Sequence, residues 1–250
     1  MPPGIELRGL GLRYAGAAIF SDLTLTLPAG EFSVLLGPSG AGKTSLLRII
    51  AGLEPPDEGT VAATDGAPLA GRVSYMAQQD LLLPWAGALQ NVMLGATLRG
   101  GAKDPARAAA LLAQVGLPHR ATARPAELSG GERQRVALAR TLYEDRPVVL
   151  MDEPFSALDA ITRVRMQDLA AKLLSGRTVL LITHDPFEAC RLGHSFTILS
   201  GTPACLSTPT RLPGTPPRAP DEDGILHLQG DLLRQLAQGD LARPPARGAT

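Results

Sequence analysis

Phe32-Ser33-Val34-Leu35-Leu36-Gly37-Pro38-Ser39-Gly40-Ala41-Gly42-Lys43-Thr44-Ser45-Leu46-Leu47 decides how this chain folds. Residues 32–36 form a short apolar run after the turn residues Pro28-Ala29-Gly30 and read as a strand. Residues 43–51 carry helix formers, with Leu46, Leu47, Ile50 and Ala51 at helical spacing. Between them, Gly37, Gly40 and Gly42 let the backbone approach phosphate oxygens with N–H groups pointing inward. The helix adds its positive end to the same place. Lys43 supplies a point charge for β- and γ-phosphates and Thr44 a hydroxyl for Mg²⁺, while Pro38, Ser39, Ala41 and Ser45 complete the cradle. A glycine-rich turn alone would mean little; strand, loop and helix in that order make it a phosphate site.

Farther along, residues 147–151 read as a fully buried strand that ends in Asp152 and Glu153. The carboxyl edge of a central strand is where ligands bind in open α/β sheets. Asp152 there would hold Mg²⁺ through water, leaving Glu153 free as general base on an attacking water. Such a base contributes on the order of 10²–10⁴-fold. In isolation the two acids would read equally well as caps on a surface loop.

A third stretch, Leu128-Ser129-Gly130-Gly131-Glu132-Arg133-Gln134, opens a helix over residues 131–143. Ser129 is a natural N-cap and Glu132 sits in the first turn. By itself this is a well-capped helix. Placed between the glycine loop and the acidic strand, the string resembles the signature of the ATP-binding cassette (ABC) family of transport ATPases. That resemblance covers about residues 5–200 and includes each family motif in order. It implies that Ser129, Gly130, Gly131 and Glu132 close over ATP held by the glycine loop of a second copy, in a head-to-tail dimer. Gln78 resembles the glutamine that senses Mg²⁺ and the attacking water, with Gln79 one residue on as the alternative; an aromatic often precedes it, and here Ala77 does. His184 resembles the switch histidine at the γ-phosphate, although a histidine after a strand is also an ordinary polar strand end. Tyr14 matches the aromatic that stacks on adenine, or is an ordinary strand aromatic. Ser156-Ala157-Leu158-Asp159 resembles the loop at the dimer seam, with Asp159 equally suited to cap the next helix.

Bulk properties narrow the function classes. At 250 residues, the chain can bury one sizeable core. Lys plus Arg and Asp plus Glu are both 24, which disfavours a broad polyanion-binding surface. Two cysteines, Cys190 and Cys205, suit a reducing compartment and are expected in or near the last strand region. No run approaches 18 apolar residues, and Met1-Pro2-Pro3-Gly4 lacks the plan of a secretion signal. These properties lead to an expectation of a cytosolic chain whose membrane work goes through a partner; the resemblance implies the cytoplasmic face of a bacterial inner membrane.

The expected fold class is α/β: a P-loop NTPase (RecA-like) core with a mainly parallel sheet, an N-terminal antiparallel β subdomain, and an inserted helical lobe at about 86–143, with residues 5–36 reading as strands. Within these, alternation from Asp22 marks a half-buried strand. Helices are expected at 88–98, 106–115, 161–174 and 186–192, and strands at 73–77, 178–183 and 195–199. Residues 1–200 form the ATPase domain and 201–250 a short extension, with six prolines between Pro203 and Pro220. Residues 226–236 return as a strand and short amphipathic helix, and 242–250 fray.

The resemblance implies ATP and Mg²⁺ as cofactors and a transmembrane permease as partner. A separate substrate-binding protein is also implied, and nucleic acid is not. The helical lobe and residues 78–85 would receive the permease, and Leu81-Leu82-Leu83-Pro84-Trp85 is apolar enough for such docking. The Leu-Leu-Pro-Trp ending looks like the branch serving nitrate, sulfonate and taurine. Met76-Ala77-Gln78-Gln79-Asp80 is similar to members serving thiamine-pyrimidine precursors. A non-transport ABC ATPase acting on nucleic acid or the ribosome is the alternative; it would bring paired cassettes, coiled coils or zinc cysteines. A P-loop kinase or GTPase would have no use for the signature.

Overall fold

The computed structural model describes residues 1–238. In chain order the elements are β1 (Ile5–Tyr14), β2 (Ala17–Leu27), β3 (Phe32–Leu36), α1 (Lys43–Ile50), β4 (Glu58–Ala63), β5 (Val73–Met76), α2 (Ala88–Val92), α3 (Leu94–Leu98) and α4 (Pro105–Gln114). They continue with α5 (Gly130–Tyr143), β6 (Val148–Asp152), α6 (Ala160–Leu173), β7 (Thr178–Ile182), α7 (Pro186–Leu192), β8 (Ser195–Gly201), β9 (Ala204–Leu206), β10 (Thr210–Arg211) and α8 (Asp223–Gln238).

Strands β5-β6-β7-β3-β8 lie side by side and parallel. The central three have no exposed face, as their mostly apolar sequences require. Their alternation divides the side chains between two cores. Val34, Val149, Met151, Val179 and Leu181 point into the one shared with the helical lobe, α7 and α8. Leu35, Val148, Leu150, Leu180 and Ile182 point into the other, with α1 and the N-terminal strands. Truncating any of these leucines to alanine would cost about 2–5 kcal/mol.

The N-terminal strands β4-β1-β2 pair antiparallel and form a lid over α1. Asp22 has φ +54°, which resets the alternation of β2. Phe20 and Leu23 are both buried, with Ser21 and Asp22 exposed between them. That bulge explains why strict alternation is legible only from Asp22 onward. Strand β9 pairs antiparallel with β8 and touches β2 at Phe20↔Ala204, which joins the lid to the parallel sheet.

Three expectations need correction. The helix expected at 88–98 is two helices, broken at Met93, where φ −85° and ψ 5° leave the helical range. Asn91 and Gly95, both weak helix formers, flank the break. Residues 226–236 form no strand; Leu226-His227-Leu228 alternates too briefly to outweigh Ile225, Leu228, Leu232 and Leu236, which recur on one helical face of α8 and pack into the core. Of the cysteines, Cys205 lies in β9, but Cys190 is buried in α7, ahead of β8. Chain beyond the strand expected at 195–199 adds β9, β10 and α8 to the same body. Residues 242–250 lie outside the described residues.

Candidate functional site

The ends of β3, β6 and β7 and the loops after them converge at one edge of the sheet. Gly37 leaves β3 at φ +154°, and a Cβ there would stand 2.1 Å from the Leu199 carbonyl oxygen, so only glycine lets the loop pass β8. Gly42 takes φ +90° to start α1, pressed against Ile19 and Phe20 of the lid. Tyr14 stands 77% exposed at the tip of the β1–β2 hairpin, the same hairpin that contacts the loop at Gly42.

Lys43 Nζ donates to the carbonyls of Gly37 and Pro38, each at 2.8 Å, and so braces the loop against itself. Burial lowers its pKa, opposed by the charges of Glu153 and Asp152. Thr44 Oγ1 donates to Asp152 Oδ2 at 2.7 Å, joining α1 to the end of β6. Asp152 is 1% exposed. Burial pushes its carboxyl up, as does Glu153, while the Thr44 bond and Lys43 act the other way. A buried carboxylate beside a hydroxyl, next to an ammonium, is a hard oxygen donor set that fits Mg²⁺ accompanied by phosphate.

Glu153 has φ +47°, a strained position for a non-glycine residue. Its N–H donates to Ile182 O, and Ser156 Oγ donates to its carbonyl. The carboxylate is thereby presented to two loops. Gln78 Nε2 donates to Oε2 at 3.3 Å, and His184 Nδ1 lies 3.2 Å from Oε1. Of the adjacent glutamines, Gln78 carries the amide that meets Glu153. Gln78, the adjacent Asp152 and Glu153, and His184, from three separate stretches of the chain, thus share one site with Lys43 and Thr44.

The Ser129 turn is built differently. Ser129 Oγ accepts from Glu132 N at 3.2 Å and Ser129 N donates to Glu132 Oε2 at 2.8 Å, a reciprocal capping box. The bond from Ser129 N lowers the Glu132 pKa. Ser129 and Gly130 are exposed, and α5 is anchored below them by Leu128 in the core and by Gln134 Nε2 donating to Pro154 O. A Cβ on Gly131 would lie 3.4 Å from Ala157 O, so the turn abuts residues 156–159. Asp159 caps α6, accepting from Thr162 N. The Ser129 and Glu132 N–H groups are thus satisfied within the helix start, while the Ser129 and Gly130 residues remain exposed.

Sequence reasoning missed the residues that fix the loops. Arg133 Nε pairs with Asp80 at 2.9 Å, and Arg140 donates to the carbonyls of Asp80 and Leu81, so α5 holds the segment after Gln78. Asn91, fully buried, bonds Leu83 at both its N–H and its carbonyl. Arginines and an asparagine on helices carry no local signal of such partners; only tertiary contact shows them.

A phosphate loop joined through Thr44 to an acid-ended strand, with a second acid beside it, defines a P-loop ATPase. The chain belongs to the ABC transporter family, as its ATP-binding and ATP-hydrolysing cassette: residues 20–156 match the family model described as ABC transporter. It is 45% identical over 241 residues, 96% of each chain, to the aliphatic sulfonates import ATP-binding protein SsuB 1 of Rhodococcus jostii. Against the protein of that name from Pseudomonas fluorescens it is 43% identical, over 96% of this chain and 89% of the relative. Among solved structures, it resembles the dimeric post-hydrolysis state of the ATP-binding cassette MJ0796 bound to ADP and Pi. The TM-score is 0.75 at 31% identity, covering 84% of this chain and all of that one. No helix among the described residues is long and apolar enough to cross a membrane.

Proposed function

We propose that two copies of this chain close head to tail over two ATP molecules and hydrolyse them to drive import of an aliphatic sulfonate through a separate permease. In each site, residues 37–45 cradle the phosphates and Tyr14 stacks on the adenine. Thr44, Gln78 and Asp152 are the residues that would hold Mg²⁺. Bound there, Mg²⁺ supplies charge neutralisation at the β- and γ-phosphates. Glu153 accepts the proton of the attacking water, and Gln78 and His184 hold that carboxylate from either side. Ser129, Gly130, Gly131 and Glu132 of the twin complete the site from outside, which suits a turn whose exposed N–H groups begin a helix.

The observation that carries the hydrolytic reading is the Thr44–Asp152 bond at 2.7 Å, with Glu153 one residue on and bracketed by Gln78 and His184. The sulfonate reading rests on the relatives' names and on the residues at 78–85, where Leu81 is 60% and Trp85 71% exposed and would meet the permease. On this reading the cargo is a sulfonate rather than nitrate or a thiamine-pyrimidine precursor, and the chain works at the cytoplasmic membrane face with a substrate-binding protein outside. The test is uptake of a radiolabelled alkanesulfonate by cells with and without this gene. Loss on deletion, restored by the wild-type chain and not by Lys43→Ala, is the expected result; unchanged uptake would remove the sulfonate assignment.

A further inference from the structure

Behind the site, Arg163 rises from the first turns of α6 into a small pocket lined by Glu153, Ser156, His184, Asp185 and Glu188. Its guanidinium spans two loops. Nη2 donates to the Leu158 carbonyl at 3.1 Å, and Nη1 stands 3.6 Å from Asp185 Oδ2. Arg163 Nε is buried with no hydrogen-bond partner, so the head group's hydrogen bond and ion pair are made at its tip, to those two loops, with the Glu188 carboxyl also within its field.

Both ends matter. Leu158 closes the turn against which Gly131 packs, with Leu158 Cδ2 3.5 Å from the Cβ position of Gly131. Asp185 follows His184 directly and fixes the local backbone. Its N–H donates to Thr183 Oγ1 at 3.0 Å, and its Oδ1 accepts from Phe187 N at 2.9 Å to cap α7. Thr183 Oγ1 in turn donates to Glu188 Oε2 at 2.6 Å, a carboxyl 3% exposed. His184 itself has a largely exposed side chain, 62%, with Glu153 beside it, so little but its backbone sets where the imidazole points.

We propose that Arg163 is a positioning residue: by clamping Asp185 to the carbonyl of Leu158, it holds His184 at Glu153 and makes that placement depend on the turn at residues 156–159. The inference rests on the reading of Glu153 and His184 as hydrolytic residues. It gives the exposed turn a route to the reacting centre within one chain, through an arginine that touches neither phosphate nor water.

The experiment is steady-state ATP hydrolysis by the full-length chain carrying Arg163→Met, which keeps the apolar stem and removes the clamp. Small misplacements of a reacting group cost up to about 10²-fold per ångström, so freeing His184 by a fraction of that should lower kcat roughly tenfold. KM for ATP and the urea midpoint should stay put. Asp185→Asn, which weakens the other end, should reproduce the loss, and Arg163→Lys, which keeps the charge, should recover part of it. In Arg163→Met/His184→Ala, the rate should equal that of His184→Ala alone, because both act through one group. Losses that multiply, or an unchanged kcat in Arg163→Met, would overturn the proposal. A fallen urea midpoint without recovery by Arg163→Lys would reduce Arg163 to a packing residue and overturn it too. Normal turnover in both His184→Ala and Glu153→Gln would instead defeat the underlying hydrolytic reading, a distinct result.

Discussion

Glu153→Gln tests the base with little disturbance of anything else. The carboxylate takes Gln78 Nε2 on one oxygen and faces His184 Nδ1 on the other. A glutamine has the same shape, and the Gln78 amide can turn over to accept from it, so the constellation stays assembled. The backbone at φ +47° is as strained for glutamine as for glutamate, which leaves stability nearly unchanged. Loss of the Glu153 charge removes a repulsion that raises the Asp152 pKa and so favours its ionised form. Phosphate binding should therefore persist. What disappears is the proposed proton acceptor, worth on the order of 10²–10⁴-fold in rate. That is about 3–5 kcal/mol of barrier, at 1.36 kcal/mol per tenfold. The assay pairs single-turnover hydrolysis at saturating ATP with size-exclusion chromatography in the same buffer. We expect slow turnover and a persistent ATP-bound dimer. Turnover within tenfold of wild type would refute Glu153 as base.

Other outcomes follow from the same geometry. Mixing Ser129→Arg chains with Lys43→Ala chains should restore ATPase activity above either variant alone, since in the proposed head-to-tail dimer one composite site keeps both its halves; no gain would argue against a shared site. Asp152→Asn should stabilise the Mg²⁺-free protein at pH 7. Burial raises the Asp152 pKa above its unfolded value, so its contribution to stability is full below about 3.8 and is lost as pH climbs through the raised value. The urea midpoints of variant and wild type should thus converge near pH 4 and separate toward neutrality, and a gap that shrank on that path would contradict the burial argument. Gly37→Ala must displace either the loop or β8, because its Cβ meets the Leu199 oxygen at 2.1 Å; we expect at least about 3 kcal/mol lost, read from the urea midpoint. In native protein, one thiol should react with Ellman's reagent. Cys205 is exposed, whereas Cys190 is buried with its pKa pushed up to about 11.

Local pattern carried the parts of the fold that have a period or a fixed conformational demand. The run Phe32–Leu36 could be nothing but a buried strand, and its glycine loop needs φ values that few residues tolerate. Pro186–Leu192 was legible to the residue because Asp185 caps it and proline starts it. Where a segment's fate depended on a distant surface, the sequence said less. Residues 88–98 look like one helix until Asn91 is found bonded to Leu83, and α8 has an apolar face whose partner, α7, is about 35 residues away. In the site, glycines, lysine and paired acids declare their chemistry by type and spacing. Asp80, Arg133 and Arg163 do not, because an arginine on a helix surface looks the same whether it meets water or a loop.

Those silent arginines change how the site has to be understood. Gln78 is on a loop, and a loop left to itself would hold its amide loosely against Glu153. Here the next residues are strapped to α5: Asp80 by its side chain to Arg133, and the carbonyls of Asp80 and Leu81 to Arg140. Leu81 takes φ +46° under that strap, and its side chain, like that of Trp85, is turned to the surface. The helix that grips this loop is the same one whose first turn presents Ser129. A push on the exposed apolar segment is therefore shared by two parts of the proposed ATP site, the amide at Glu153 and the Ser129 turn. Arg140→Met should expose that sharing: removing two charge-assisted bonds to carbonyls frees the loop while leaving Lys43, Thr44 and Asp152 as they were. ATP affinity should hold and kcat should fall. If kcat were instead unaffected and only the unfolding midpoint moved, the strap would be a matter of stability and the two parts would be mechanically independent.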